Sequence, residues 1–405
     1  MTIIKNIVGQ HASEAAYLWS QCQRALHAPH YLRWELIREQ DRLEAHLDGL
    51  RIAGEAGWDI VQKQLEASTG PGEVFTAAYL AYESGRAERI DHVLNLAAPV
   101  VALHPAVISA FDWQPAAARH LPALWNSPQA GLRRIGLGAA AILRTNPGLA
   151  LEKALFDQDL SLRAYALSIV GRLGYPAWAA QLRLELKSPA LSCRFAAAWS
   201  LARLTGEPAA LAELQTIALT ESVHRLPALH MLLRRLEPAA ARKFLALLRQ
   251  MPGTERLALF GIGVWGDPAD VPYLLEKMQH TPLARLAGEA FTFITGLILP
   301  AHNFDGPIPE DHEPVPQEDP LDDRVDSDPD ENLPWPLVDK IRDWWQANRS
   351  RFQEGTRYLV GEPLSEARCQ KILIEGYQRQ RHYAALELSL RQPSQPMLEV
   401  TTRQK

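Results

Sequence analysis

Six arginines recur along the middle of the chain at a nearly constant interval, and this period restricts the possible folds more than any other feature. They are Arg133, Arg163, Arg194, Arg225, Arg256 and Arg285, separated by 30, 31, 31, 31 and 29 residues. A small or aliphatic residue follows three positions after each arginine, and a glycine closes several of the repeats. A period of about 30 residues with this internal order predicts a helical-repeat solenoid.

Each repeat predicts one helix that carries its arginine. Ser127-Pro128, Ser188-Pro189 and Thr281-Pro282 mark the expected helix starts in three repeats, and Asp159 occupies the same place in another. Such side chains accept hydrogen bonds from the first N–H groups, and proline beside them forfeits no bond. Small residues after the arginine allow close helix packing. We therefore expect an all-α fold built from HEAT-like helix pairs.

The composition divides the chain into four regions. Residues 1–98 predict a helical N-terminal region, 99–300 the HEAT-like repeats, 301–334 an acidic, proline-rich linker or loop, and 335–405 a C-terminal helical segment. Twelve acidic residues, eight prolines and a single basic residue fall within 301–336. A segment with so few apolar residues cannot form a core of its own, which favours a linker or a long surface loop.

Charge and cysteine content narrow the classes of partner. The net charge is −5, but 301–336 contributes −11, so the rest of the chain carries +6. This positive charge is too small and too dispersed for a nucleic-acid surface, and nucleic acid is not an expected partner. Three widely separated cysteines suit a reducing cytoplasm, where we expect the protein to be located. The apolar stretches late in the repeats are too short to cross a membrane.

Catalytic and cofactor motifs give little support to an enzyme. Residues 261–266 match GxGxxG, but they fall inside an expected helix and no strand precedes them, as a dinucleotide site requires. The chain has no HExxH and no GxSxG motif. We expect no cofactor, no metal and no catalytic residues. A repeat-groove enzyme acting on nucleic acid is the third-ranked alternative, with Trp113, Trp178, Trp199 and Trp265 as candidate groove residues, although packing in the repeat core is the favoured interpretation of these tryptophans.

The arginine ladder, meaning the six periodic arginines, has two interpretations. In the favoured one, each arginine pairs with carboxylates or carbonyl groups of a neighbouring repeat and joins the repeats together. In the other, the six side chains form a basic strip that holds an anionic partner. The aliphatic stems can cover apolar surface in either arrangement.

Several blocks outside or late in the repeats are more distinctive than the repeats. They are DRLEAHLDGL (41–50), GPGEVF (70–75), EAF (289–291), ITG (294–296), LPWP (333–336), WW (344–345), RF (351–352), GTRYL (355–359), GYQRQR (376–381) and AALEL (384–388). Together they resemble a bacterial family of HEAT-like-repeat proteins associated with type VI secretion gene clusters of proteobacteria. The resemblance implies a cellular setting and carries over no catalytic residues.

The C-terminal blocks hold the candidate partner-binding residues Arg379, Arg381, Trp344 and Trp345. The donors of 378–381 are expected to cap helix ends or to clamp the acidic linker. The alternative is an epitope for a protein partner, in which arginine is a common anchor.

The expected function is a non-enzymatic protein-binding scaffold. In the setting that the resemblance implies, it is an adaptor or chaperone for an effector or spike component of a type VI secretion system. The alternative is a cytoplasmic immunity protein that neutralises a cognate toxin. The sequence leaves the partner and the oligomeric state open.

Overall fold

The computed structural model describes residues 4–312, 328 and 330–404, and these residues form an all-α protein. Twenty-one α-helices and two short strand pairs lie within the described part of the chain. The predicted fold class is confirmed. The chain divides into two compact units, Met1–Leu214 with Leu388–Lys405 (unit 1) and Gln215–Glu387 (unit 2). These divisions fall at other places than the predicted boundaries after residues 98, 300 and 334.

Unit 1 contains twelve complete helices among its described residues. They are α1 (Lys5–Ala25), α2 (Arg33–Ala53), α3 (Glu55–Ala67), α4 (Pro71–Ser84), α5 (Ala87–Ala97), α6 (His104–Trp113), α7 (Leu121–Trp125), α8 (Ala130–Ile142), α9 (Leu149–Leu155), α10 (Leu160–Leu173), α11 (Ala179–Glu185) and α12 (Leu191–Leu204). Helices α4, α6, α8, α10 and α12 each contact the next in that order. The arginine-bearing helices of this unit therefore stack one upon the next.

Unit 2 repeats this arrangement with fewer helices. Helices α13 (Pro208–Leu219) and α21 (Gln378–Arg391) cross the division between the units. The helices that lie wholly within unit 2 are α14 (Arg225–Arg235), α15 (Pro238–Gln250), α16 (Glu255–Trp265), α17 (Val271–Lys277), α18 (Thr281–Thr295), α19 (Val338–Asn348) and α20 (Glu366–Glu375). Helix α14 contacts α16, and α16 contacts α18. A continuous solenoid stays a prediction.

Short elements connect the helices. Antiparallel pairs form between β1 (Asp305–Gly306) and β2 (Trp335–Pro336), and between β3 (Tyr358–Leu359) and β4 (Glu362–Pro363). Single 3₁₀ turns occur at Val101–Leu103, Pro115–His120, Pro176–Trp178, Pro268–Asp270, Pro300–His302 and Arg349–Arg351. No helix of the described residues has the length and apolar character needed to cross a bilayer.

The predicted helix starts are correct at Asp159 and displaced in two other repeats. The Asp159 carboxylate caps α10 by accepting from the Leu162 amide at 2.9 Å. Helices α8 and α12 instead begin two residues after their Ser-Pro pairs, at Ala130 and Leu191. The Ser-Pro pairs lie in the preceding loop, where their carbonyl groups face the ladder arginines.

The GxGxxG segment lies in α16 and its C-cap, so it does not form a strand-to-helix turn. A Cβ on Gly261 would come within 2.8 Å of the Leu245 side chain, and one on Gly263 within 3.2 Å of the Ala290 backbone. Gly266 ends the helix at a φ of 79°. The first two glycines permit close helix packing, and the third allows the left-handed helix end.

The acidic region 301–334 is only partly described, since residues 313–327 and 329 lie outside the described part of the chain. On its N-terminal side, the Asp311 carboxylate accepts from the Thr281 hydroxyl at 2.8 Å. On its C-terminal side, Asp330 is buried. The described ends of the region are therefore bound to unit 2.

Candidate functional site

All six ladder arginines donate to carboxylates or to backbone carbonyl groups. In unit 1, Arg133 donates to the Asp157 carboxylate at 2.7 Å and Arg194 to the Glu213 carboxylate at 2.9 Å. Arg163 donates through Nε to the Asp157 carbonyl at 2.8 Å. The carbonyl groups of the Ser-Pro pairs are further acceptors, at Ser127 and Pro128 for Arg133 and at Ser188 and Pro189 for Arg194. These contacts occupy the guanidinium groups within unit 1.

Two of the three ladder arginines of unit 2 contact the acidic region. Arg256 donates to the Asp330 carboxylate at 2.7 Å, and Arg285 donates to the Asp328 carboxylate at 2.5 Å and to the Asp330 carbonyl at 3.0 Å. The third, Arg225, pairs within its own repeat with Glu221 at 2.5 Å. Burial opposes ionisation of Asp328, but the amide of Asp330 and the charge of Arg285 outweigh it and lower the pKa of Asp328. Arg256 and Arg285 thus bind the acidic region at residues 328 and 330.

The candidate partner-binding arginines make contacts inside unit 2. One Arg379 nitrogen lies 3.0 Å from both carboxylate oxygens of Glu289, which is in α18. Burial raises the pKa of Glu289, and the charge of Arg379 partly offsets that rise. Arg381 is buried and donates to the Leu373 carbonyl at 2.8 Å and to the Gln378 side chain. Arg381 therefore joins α20 to α21.

The two candidate tryptophans pack in an aromatic cluster of the same unit. The rings of Trp344 and Trp345 lie 6.0 and 6.3 Å from the ring of Phe291, both edge-to-face. The ring of Phe352 lies 5.4 Å from Trp345 and 5.2 Å from Tyr358. Both indoles are partly buried. The two tryptophans thus share one aromatic cluster. Arg379 and Arg381 each bind a different partner, and neither belongs to that cluster.

A second series of periodic arginines binds the C-terminal tail in unit 1 and a buried carboxylate in unit 2. It consists of Arg172, Arg203 and Arg234, spaced 31 residues apart and each nine positions after a ladder arginine. In unit 1, Arg172 and Arg203 bind the C-terminal tail, residues 392–404. In unit 2, Arg234 lies 3.3 Å from the Glu387 carboxylate. The regular spacing could have identified this series, but not its partners.

Arg203 binds the first part of the tail. Its side chain is completely buried, and it donates to the carbonyl group of Gly171 in α10. It also donates to the tail carbonyls of Pro393 at 3.2 Å and Gln395 at 2.6 Å. The guanidinium group thus donates to backbone carbonyls of the tail. Any residue at those two tail positions offers the same acceptor.

Arg172 binds the middle of the tail with both its main chain and its side chain. Its carbonyl oxygen accepts from the Met397 amide at 2.7 Å. Its guanidinium donates twice to Glu399 Oε1, at 2.7 Å from Nη2 and 3.2 Å from Nε. Burial lowers the pKa of Arg172, but the charge and hydrogen bond of Glu399, together with those of Tyr165, outweigh burial and raise the pKa. This carboxylate contact is a charged anchor of the tail.

Gly174 brings the tail close to the C-terminal end of α10. It has a φ of 75°, and an added Cβ would lie 2.7 Å from the Gln395 carbonyl oxygen and 2.8 Å from that of Pro393. Only glycine satisfies both the left-handed backbone and this close approach.

The last tail residues reach α2 and α6. The Arg403 guanidinium pairs with Glu44 and lies 4.4 Å from the centre of the Trp113 ring, while its amide donates to Asp112 at 2.5 Å. The Gln404 amide donates to the Gln40 side chain at 2.8 Å. The tail therefore runs from α12 past α10 to α6 and α2. We call the surface of α2, α6, α10 and α12 that the tail covers the tail groove. The tail groove is basic at Arg172 and Arg203 and acidic at Glu44 and Asp112.

Unit 2 binds an extended segment at equivalent helix ends. The Tyr358 amide donates to the Gly266 carbonyl at 2.8 Å, and the Gly361 amide donates to the Ile294 carbonyl at 3.1 Å. Gly266 and Gly296 have φ values of 79° and 74°, and each leaves no room for a Cβ beside the β3–β4 hairpin. The same type of repeat-closing glycine thus receives the tail in unit 1 and the hairpin in unit 2.

This geometry defines an all-α protein whose helix ends bind extended segments through main-chain contacts and arginine side chains. No group of three or more His, Cys, Asp or Glu side chains in the described residues is arranged to hold a metal ion. Cys22, Cys193 and Cys369 are buried and form no disulfide. Comparison with family models, with curated proteins and with solved structures finds no match to this chain.

Proposed function

We propose that this protein is a non-enzymatic scaffold whose unit 1 binds an extended segment of another protein. In the type VI secretion setting suggested by the sequence resemblance, it acts in the cytoplasm as an adaptor or chaperone for an effector or spike component. The supporting observation is the tail groove, in which α2, α6, α10 and α12 hold residues 392–404 of the chain itself, a segment without helix or strand.

The chemistry of the groove suits protein recognition. Arg203 and the Arg172 carbonyl form hydrogen bonds with main-chain groups of the tail. Because every residue carries these main-chain groups, such contacts give affinity for segments of many different sequences. Charged contacts at Glu399 and Arg403 then fix register and direction. A groove with opposite charge at its two ends binds a peptide in a single orientation.

Capture from cells tests the proposal. The tagged full chain is used as bait together with Arg172→Glu, which reverses the charge at the basic end of the groove. Arg183→Glu is the matched control, because Arg183 lies in the same unit and pairs with Glu207 instead of the tail. A specific partner should be enriched about tenfold less with Arg172→Glu than with Arg183→Glu, equivalent to about 1.4 kcal/mol. Equal enrichment with both variants contradicts binding through this groove.

The identity of the partner and a deletion phenotype distinguish an adaptor from a toxin-neutralising protein. An adaptor should enrich an effector or spike component, and its deletion should stop delivery while the cells stay healthy. Poisoning among sibling cells after the deletion would contradict the adaptor role and indicate toxin neutralisation.

A further inference from the structure

We infer that residues 392–404 are a displaceable internal ligand of the unit 1 groove, replaced by a partner segment of defined chemistry. That segment is non-helical and carries a carboxylate, an apolar residue directly after it, and arginine or lysine four residues after the carboxylate. The inference rests on the proposed scaffold function, to which it adds the recognition chemistry and a mode of regulation.

The low apolar burial of the tail makes it easy to release. The tail forms no helix or strand of its own. Val400, 5% exposed, is the one buried apolar residue among the described tail residues, while Leu398 is 37% exposed. Segments that bury little apolar surface open locally at low free-energy cost. The tail can therefore leave while the helices of unit 1 stay folded.

The groove itself favours being occupied. Arg203 is a completely buried cation that donates to two tail carbonyls in addition to Gly171. When the tail leaves, water or another chain must replace these two carbonyl acceptors, because the cation still needs hydrogen-bond partners. Opening of the tail thus exposes a donor group that the carbonyl groups of another chain can satisfy.

The two charged anchors specify the replacement. Glu399 and Arg403 are four residues apart and contact groups of opposite charge, at Arg172 and Glu44. Val400 lies between the two anchors and is buried, so an apolar residue is expected directly after the carboxylate. Leu398, just before Glu399, is exposed and sets little constraint. A partner therefore needs the two charges at this spacing and an apolar residue at the position of Val400.

Because the tail is tethered, it competes at high effective concentration. Flexible tethers of short length give effective concentrations of about millimolar, so a free segment must overcome this advantage. Weakening the tail should therefore strengthen binding of any segment that uses the same groove. This relation distinguishes a displaceable ligand from a permanent part of the fold.

The test uses the full chain and a fluorescent synthetic peptide of residues 392–404, with binding measured by anisotropy. The variant Glu399→Gln/Arg403→Gln weakens the attached tail and leaves the groove intact. It should bind the peptide about tenfold more tightly than the wild-type chain does. Equal affinity for both chains, or binding to neither, overturns the inference. Circular dichroism checks that the double variant retains the wild-type unfolding transition.

Two further arms test the recognition chemistry in the same double variant. Adding Arg172→Glu to the chain should abolish binding of the wild-type peptide. A peptide with lysine in place of Glu399 should restore binding to that chain. Adding Arg183→Glu instead should leave binding of the wild-type peptide unchanged. A peptide with the other residues shuffled, but with both charges and Val400 kept in place, should bind within about threefold, or under 1 kcal/mol. Binding that requires the complete tail sequence contradicts a partner segment and assigns the groove to the tail of a second copy.

The outcomes separate this inference from the proposed function. The peptide measurement needs no cellular partner, so it stands even if capture from cells finds none. Conversely, failure of the peptide competition refutes the displaceable tail and leaves open capture of a partner elsewhere on the scaffold.

Discussion

The two units hold a non-repeating segment against similar helix ends, but they bury it to different extents. In unit 2, Tyr358 and Leu359 of the hairpin are 7% and 4% exposed, and Phe352 packs beside them. In unit 1, the tail contributes Val400 to the buried surface and is held elsewhere by hydrogen bonds and ion pairs. Equivalent glycine-ended helices can therefore support either a permanent attachment or an exchangeable one.

Arginine takes part in both attachments. Arg368 in unit 2 is buried and donates to the Leu359 carbonyl at 2.9 Å and to that of Val360. Arg203 in unit 1 does the same for the Gln395 carbonyl. The difference between the attachments lies in the apolar side chains beside these contacts, since apolar burial is the larger source of stability.

The largest expected contrast comes from truncating a leucine in each segment. Leu359→Ala should lower the free energy of unfolding of unit 2 by about 3 kcal/mol, because it leaves a cavity in a buried cluster. The matched variant Leu398→Ala should change stability by no more than about 0.5 kcal/mol. Denaturant unfolding followed by circular dichroism measures both. Equal losses would remove the distinction between the two attachments.

Acidification should affect unit 2 next most strongly. Burial lowers the pKa of His230, and the charge of Arg234 lowers it further. On acidification below pH about 6.5 the unfolded chain takes up a proton that the folded chain resists, so stability falls by up to about 1.4 kcal/mol per pH unit. His230→Gln should flatten this slope in unfolding experiments. A slope unchanged by the substitution would contradict the assignment.

Replacing the glycine beneath the tail should have a smaller, local effect. Gly174→Ala combines a strained left-handed backbone with loss of the space occupied by the tail carbonyls. We expect a loss of about 1 kcal/mol in stability and faster proteolysis within 392–404. Gly148→Ala is the control, because Gly148 also has a positive φ, 53°, but open space around its Cβ position. Equal tail proteolysis in the two variants would show that backbone strain alone is responsible.

The smallest expected effect is that of salt on the tail. The Arg172–Glu399 pair is partly exposed and should contribute under about 1 kcal/mol, decreasing as salt screens it. Proteolysis of the tail should therefore accelerate with salt, and Glu399→Gln should remove most of this dependence. In unit 2 the Arg234–Glu387 pair is almost fully buried and should respond less. A salt response that persists in Glu399→Gln would mean that another charged contact anchors the tail.

Periodicity predicted the helical class and placed the ladder arginines on helices in both units. It could also have revealed the second series, because Arg172, Arg203 and Arg234 repeat at 31 residues. The shift of the helix starts from Ser127 and Ser188 shows a local limit. Their carbonyl groups bind arginine in the loop, an arrangement that competes with capping.

The partners of the second series could not be read from the sequence. Arg172 and Glu399 are separated by 227 positions, and their meeting depends on how α10, α12 and the chain end pack together. The same holds for Arg379, whose partner Glu289 lies 90 positions earlier. Residue type indicated that these arginines would bind acceptors. Tertiary packing determines which acceptors they reach.

Hydrogen exchange of the full chain, read by mass spectrometry, tests the central claim most directly. It compares the Met397 amide, bonded to Arg172, with the amides of Tyr358 and Gly361 in the hairpin. We predict that tail amides exchange more slowly than in the free tail peptide but at least tenfold faster than hairpin amides, a difference of about 1.4 kcal/mol or more in local opening. Equal protection of tail and hairpin, or a tail that exchanges as fast as the free peptide, would contradict an exchangeable ligand in the groove of unit 1.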